Sequence, residues 1–303
     1  MFHYTTQEGL LGILRSKKLW LVSSREMNDV TDRFYANLFV TTALFCSNDE
    51  EATLLRNNLS AEDILRINMD TLEVPFYSAS FCENNSNEYL WQNYADGNKG
   101  VCIEIDDYYF NTYKDKVVKE MYESLDAEDI PENEIIIEKR EVKYNYPIEY
   151  FLVALKLTKK CCISEKDMNA PDGYTKIQFE NWLFLTLTLL AGTIKAENFS
   201  KEDEVRLLFQ NRYTDEYVNK HSMYFLVRYR LTKILKELGV DAEISDGGKR
   251  RMELNIDKIF NEHLIKSITI GDGFSENIQE LKVQMNQAGL LKTVLQNRKG
   301  KQL

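Results

Sequence analysis

The sequence predicts an α+β fold, because strands and helices interleave irregularly, without the steady strand–helix alternation that builds a parallel sheet. Two further observations agree. Four prolines and 13 glycines in 303 residues are too few for the turn-rich strands of an all-β sandwich. Segments of three-to-four apolar spacing also lie beside segments of strict alternation, as where Val101, Ile103 and Ile105 alternate with Cys102, Glu104 and Asp106.

The elements follow in order. Residues 7–16 carry helical spacing through Leu10, Leu11, Ile13 and Leu14, and Leu19–Val22 reads as a short strand. A helix over 28–46 opens at Asn28-Asp29, and one over 60–73 is capped by Ser60 with Asp63 at the third helical position. Strands at Phe76–Phe81 and Gly100–Asp106 bracket a short helix that presents Trp91, Tyr94 and Asp96. Residues 107–140 form an acidic, tyrosine-rich insertion, helical in part, and Glu141–Tyr144 is another strand. Residues 147–195 are mostly helical, broken at Pro171-Asp172-Gly173. Strands return at Glu204–Phe209, Ala242–Ile244, Met252–Asn255 and Ser267–Ile270, the last stopped by Gly271-Asp272-Gly273. The tail, Ser275–Gln296, reads as one amphipathic helix, followed by a basic, frayed Arg298–Lys301. No repeat and no Ser/Gly/Pro-rich linker divides the chain. One domain over 1–303 is therefore expected, with helical or acidic insertions near 41–73, 107–140 and 147–195 and a C-terminal helix at 275–296.

Composition narrows the function. A hydrophobic content of 44% excludes general disorder, and a net charge of −10 argues against non-specific duplex binding, which needs a basic face. The N-terminus lacks the charged region and apolar core of a signal peptide, and the apolar run Trp182–Ile194 is too short to cross a bilayer. Five cysteines, at 46, 82, 102, 161 and 162, form no CxxC pair and read as free thiols. A cytoplasmic chain off the membrane is the expectation. The three histidines, at 3, 221 and 263, make no metal-binding pattern, and no Gly-x-Ser-x-Gly elbow, P-loop or Gly-x-Gly-x-x-Gly occurs.

Four polar segments beside apolar strands remain: Phe2–Thr6, Met27-Asn28-Asp29, Ser78–Gly100 and Lys201–Arg206. In the last, Glu204 and Arg206 share one strand face. A carboxylate there polarises a ribose hydroxyl or acts as a base, or else forms an intra-strand ion pair with Arg206; both readings stay open. Lys249-Arg250-Arg251, after Asp246-Gly247-Gly248, is the best basic patch, either a solvated turn or a nucleic-acid contact.

Taken together, Phe2-His3-Tyr4-Thr5, Met27-Asn28-Asp29, Ala79-Ser80-Phe81-Cys82, Leu90–Asp96 with Lys99-Gly100-Val101, and Glu202–Arg206 resemble an uncharacterised bacterial family, domain of unknown function 2971, from residue 2 to about residue 273. The chain has Val30 where that family has Pro, and Asn93 where it has His, so no role for a histidine at 93 carries over. More distantly, the layout is similar to ADP-ribosyltransferases of the His-Tyr-Glu type. That resemblance implies a split mixed/antiparallel β-sheet with helical insertions, NAD as substrate, and a macromolecular acceptor, protein or nucleic acid. It also implies the role of a bacterial toxin or phage-defence effector. It assigns ribose binding to His3, with Tyr4, Thr5 and Ser80 beside it. Stacking on nicotinamide falls to one of Tyr89, Trp91 and Tyr94, and catalysis to Glu204. Arg25, Arg33 and Arg206 are the available donors for a diphosphate. The rival expectations are a non-catalytic nucleotide-binding sensor and a nucleic-acid-processing enzyme. The 107–140 insertion and the C-terminal helix are the surfaces expected to meet a partner or second copy.

Overall fold

Period-two strands that bury one or both faces must pair, and here they pair into one large sheet. The computed structural model describes residues 1–27, 32–124, 135–144, 147–163, 172–211, 240–246, 249–275 and 277–303. Its strands are β1 (Phe2–Thr5), β2 (Lys18–Ser23), β3 (Phe76–Cys82), β4 (Val101–Ile105), β5 (Ile135–Glu141), β6 (Lys143–Tyr144), β7 (Ile194–Lys195), β8 (Glu204–Asn211), β9 (Val240–Asp246), β10 (Lys249–Asn255), β11 (Ile265–Ile270) and β12 (Val294–Asn297). Ten of them form one mixed sheet in the order β12-β11-β4-β1-β3-β2-β10-β9, with β8 also on β3 and β5 on β8. Every pairing in it is antiparallel except β11 with β12; β6 and β7 form a separate parallel pair.

The sheet divides at β3. Strand β8 follows β3 along its whole length, from Phe76 opposite Gln210 to Cys82 opposite Glu204, and so fills one edge. Two strands share the other edge: β2 pairs at Tyr77 and Ser78, whereas β1 pairs only at Cys82. Between those pairings Ala79, Ser80 and Phe81 face a gap, and the arms β1-β4-β11-β12 and β2-β10-β9 diverge from it.

Alternation sorts the faces. Tyr77, Ala79 and Phe81 of β3 join Val205, Leu207 and Phe209 of β8, Val101, Ile103 and Ile105 of β4, and Leu10 and Leu14 of helix α1 (Gln7–Ser16) in one buried core. The opposite face of β3 and β8 carries Ser78, Ser80, Glu204 and Arg206. Helices α2 (Asp32–Cys46), α3 (Glu50–Asn58), α4 (Ala61–Glu73), α7 (Pro147–Cys162) and α8 (Asp172–Leu190) build a second core, around Leu44, Leu55, Ile64, Leu155 and Trp182. Helix α4 starts at the expected capping box, in which Ser60 and Asp63 each satisfy the other's backbone N–H. The remaining α-helices among the described residues are α5 (Glu88–Asn93), α6 (Asp107–Ser124) and α9 (Ile278–Gln287).

Several expectations need correction. The tail is not one helix over 275–296. Helix α9 ends at Gln287 because Gly289 turns the chain at φ 92°, and Val294–Asn297 then adds β12 to the sheet. Arg298 is not frayed either: it donates to Asn98 at 2.7 Å and lies over Trp91. The end of the 107–140 stretch, from Ile135, is β5 and belongs to the main sheet rather than to an insertion. The strand expected at Glu141–Tyr144 is shared between β5 and β6, with Val142 bonded to the Glu204 carbonyl between them. Residues 41–73 hold the end of α2, then α3 and α4. The start of the 28–46 helix, the Pro171 break and His221 lie outside the described residues. No described helix is long and apolar enough to cross a membrane. The four described cysteines, 46, 82, 102 and 162, are free thiols.

Candidate functional site

A cavity of about 480 Å³ opens at the gap where β1 and β2 part along β3. A strand end facing no partner leaves backbone groups to be satisfied by side chains. The Ser80 carbonyl is met by His3, whose Nδ1 lies 2.8 Å from it. A carbonyl only accepts, so Nδ1 carries the proton and Nε2 keeps its lone pair. Burial lowers the pKa of His3, and the bond to Ser80 only partly offsets this, so the ring is neutral at pH 7.

The opposite wall is built by the entry to β8. A 3-10 turn, Glu197–Glu202, leads into Asp203, which takes a left-handed conformation at φ 46°. That turn sets Glu202 and Glu204 on either side of one buried lysine. Lys195 Nζ, on β7, reaches Glu202 at 2.7 Å and Glu204 at 3.3 Å. Arg206 follows Glu204 by two residues on the same strand face and clasps it, Nε to Oε1 at 2.7 Å and Nη2 to Oε2 at 2.9 Å. The Ser80 hydroxyl also donates to the Glu204 carboxylate, and the Glu204 N–H donates to the Tyr144 hydroxyl at 3.0 Å. Tyr94, just past α5, donates its hydroxyl to Glu202 at 2.7 Å. Burial, reinforced by Glu202, raises the Tyr94 phenol pKa and keeps it protonated.

For Glu204, burial would push the pKa upward, but Arg206 first, then Lys195 and Ser80, outweigh it and hold the group down to about 2. A carboxyl depressed in the folded state contributes stability that is present above its unfolded pKa and lost as pH falls towards the folded one. We therefore expect unfolding free energy to drop between about pH 4.5 and pH 2 by on the order of 3 kcal/mol through this group. Urea melts across that range should show the drop in the wild type and a flatter profile in Glu204→Gln.

Arg206 is also fixed from behind, where its Nη1 donates to the Gly192 carbonyl at 2.9 Å. Gly192 has φ 74°, and a Cβ there would meet the Phe76 ring at 2.8 Å. Gly192→Ala thus combines a disfavoured backbone with a clash and should cost about 1–3 kcal/mol. An unchanged melting temperature would contradict this account.

Of the residues singled out in the sequence, His3, Tyr4, Ser80, Tyr94, Glu204 and Arg206 all line this cavity. Thr5, Tyr89 and Trp91 do not. Trp91 is fully buried, its indole N–H donating to the Asn85 carbonyl at 2.9 Å, and Tyr89 packs against the same small cluster. Met27 lines the cavity, whereas Asn28 and Asp29 lie outside the described residues, as do the Arg33 and Lys249 side chains. Arg25 donates to the Glu73 carbonyl at 2.7 Å, and His263 is exposed away from the site. Sequence reasoning missed Lys195 and Trp20 and gave no role to Ser78 and Glu202, which lie inside the segments it singled out; all four line the cavity. A lone lysine closing the apolar run 182–194 was the available signal for the first. Among the described residues no cluster of His, Cys, Asp or Glu is placed to hold a metal.

Residues 90–207 match a family model described as a protein of unknown function (DUF2971). The matched stretch runs from α5 into β8, so it contains Tyr94, Lys195, Glu202, Glu204 and Arg206 and leaves His3 and Ser80 outside. No curated protein and no solved structure matches the chain.

Proposed function

We propose that the chain is an NAD-dependent ADP-ribosyltransferase on an ADP-ribosyltransferase-like split sheet, modifying a macromolecular acceptor as a bacterial toxin or phage-defence effector. The observation that carries the reading is the meeting of His3, Tyr94 and Glu204 in one cavity, although they lie on separate elements far apart in sequence. A carboxylate with so low a pKa is ionised at neutral pH and is no proton donor. Its chemistry is to accept a ribose hydroxyl and to stabilise positive charge. Breaking the nicotinamide–ribose bond sends the bonding electrons to nicotinamide and leaves an oxocarbenium-like sugar. The acceptor's nucleophile then bonds to that sugar carbon and loses its proton. Glu204, held by Arg206, Lys195 and Ser80, faces that charge without having to reorganise.

The neutral His3 offers Nε2 as an acceptor for a ribose hydroxyl, and the partly exposed Tyr94 ring, tethered through Glu202, is oriented for stacking on nicotinamide. The lining holds three carboxylates, Glu26, Glu202 and Glu204, against the cations Lys195 and Arg206. That balance suits a pyridinium ring better than a diphosphate, and it assigns Arg206 to Glu204 rather than to phosphate.

The test is nicotinamide release from NAD. The wild type should release it, and Glu204→Gln should slow release roughly 100- to 1,000-fold. His3→Ala, which leaves the ion pairs intact, should also slow it. Equal rates in all three proteins, or no nicotinamide release by the wild type, would remove the reading. One observation favours a second reading, a nucleotide-binding sensor: Glu204 already sits in a closed, buried network with Arg206 and Lys195. A sensor would be stabilised by NAD without consuming it.

A further inference from the structure

The arm formed by β2 and β10 carries a second group of side chains at the cavity, distinct from the Glu204 network. Trp20 on β2 is 49% exposed, yet its indole lines the cavity. Ligand pockets are lined predominantly by hydrophobic and aromatic side chains with a few polar groups that fix orientation. The Arg251 guanidinium lies over the indole at 3.7 Å and is itself held by Glu253, Nη2 to Oε1 at 3.2 Å. Lys18 reaches the same carboxylate at 2.6 Å. The ring is thus oriented before any ligand arrives.

A second, independent observation comes from β3. Ser78 is 3% exposed and lines the cavity, and its hydroxyl has no hydrogen-bond partner. A buried hydroxyl left unpaired is a standing cost, relieved when a ligand's polar edge meets it. Ser78 stands opposite Val22, and Trp20 lies two residues along β2 on Val22's face. The pairing of β2 with β3 ends at Val22–Ser78, so Trp20 and Ser78 flank the opening of the gap from its two sides.

We infer that this arm is a nucleobase subsite, in which a base stacks on Trp20 and bonds through its polar edge to the Ser78 hydroxyl. The inference rests on the reading that the cavity takes a nucleotide. The base is either the adenine of NAD itself or a base of a nucleic-acid acceptor; the recognition chemistry is the same.

Calorimetric titration separates these sources, using ADP-ribose, base-free ribose 5-phosphate and a short single-stranded oligodeoxyadenylate as probes. Trp20→Ala should weaken an adenine-bearing probe about ten-fold or more, the scale of a lost base–aromatic stack, while ribose 5-phosphate is unaffected. Trp20→Phe should restore most of the affinity. Ser78→Ala should weaken the same probe without lowering the melting temperature, since it removes a group that had no partner. Dependence on Trp20 for ADP-ribose assigns the base to NAD, and dependence for the oligonucleotide alone assigns it to the acceptor. Equal loss for ADP-ribose and ribose 5-phosphate, no loss for any probe, or failure of the wild type to bind either adenine probe overturns the subsite. NAD consumption measured in parallel keeps the two readings apart. Turnover without Trp20-dependent base binding removes only the subsite, and base binding without turnover removes only the transferase.

Discussion

Arg206→Met should lower the unfolding free energy by about 3–5 kcal/mol, the usual cost of stripping one partner from a buried ion pair. Arg206 is 2% exposed and contacts both Glu204 oxygens as well as the Gly192 carbonyl. Without it, two buried carboxylates, Glu202 and Glu204, would share the single ammonium of Lys195. Methionine keeps much of the volume, so the loss reports charge rather than a cavity. Adding Glu204→Gln to Arg206→Met should recover a good part of it, because the uncompensated charge is then gone as well. Urea denaturation of the four proteins in this cycle measures the coupling. Additive losses, or a single-variant cost below about 1 kcal/mol, would show that the pair is no more than a surface-type contact.

The largest expected effect on chemistry is that of Glu204→Gln. Glutamine preserves size and an acceptor oxygen for Ser80, but it removes the negative charge on which the proposed transferase reaction draws. A drop of roughly 100- to 1,000-fold in nicotinamide release is the scale of losing one preorganised electrostatic partner. Because this variant also leaves Arg206 without its counter-charge, some destabilisation accompanies it. The comparison that matters is therefore rate per folded molecule, measured beside His3→Ala, which touches no ion pair. On the proposed reading, binding of NAD should survive in Glu204→Gln even as turnover falls, since Tyr94 and His3 are left in place.

How much was legible in the sequence depended on whether a pattern was local. Period-two alternation located β4, the strands read at Phe76–Phe81 and Glu204–Phe209 fall on β3 and β8, and the Ser60–Asp63 spacing marked the head of α4. The i, i+2 relation of Glu204 and Arg206 is enough to put both on one strand face, and folded there the two make a bidentate ion pair. Lys195 was invisible because its strand has two residues and its partners arrive from the turn beyond. Trp20 read only as part of a strand; nothing local says that the neighbour of its strand is β10, more than two hundred residues later. The choice among Tyr89, Trp91 and Tyr94 had no local answer either. Of the three, only Tyr94 lines the cavity, because the turn after α5 leaves it beside Glu202. The tail misled because Leu281, Met285 and Ala288 do hold helical spacing, and one glycine ends it.

The division of the sheet at β3 has a consequence for biosynthesis. Every described side chain lining the cavity comes from residues 2–206, whereas the outer strands of both arms come from residue 240 onward. A nascent chain therefore holds the described cavity lining while β2 and β4 still present bare edges, the condition that invites mispairing between neighbouring chains. Closing those edges brings together segments very distant along the polypeptide, which makes this a slow-folding topology. The part synthesised first supplies the described lining of the cavity, and the part synthesised last closes the edges of β2 and β4.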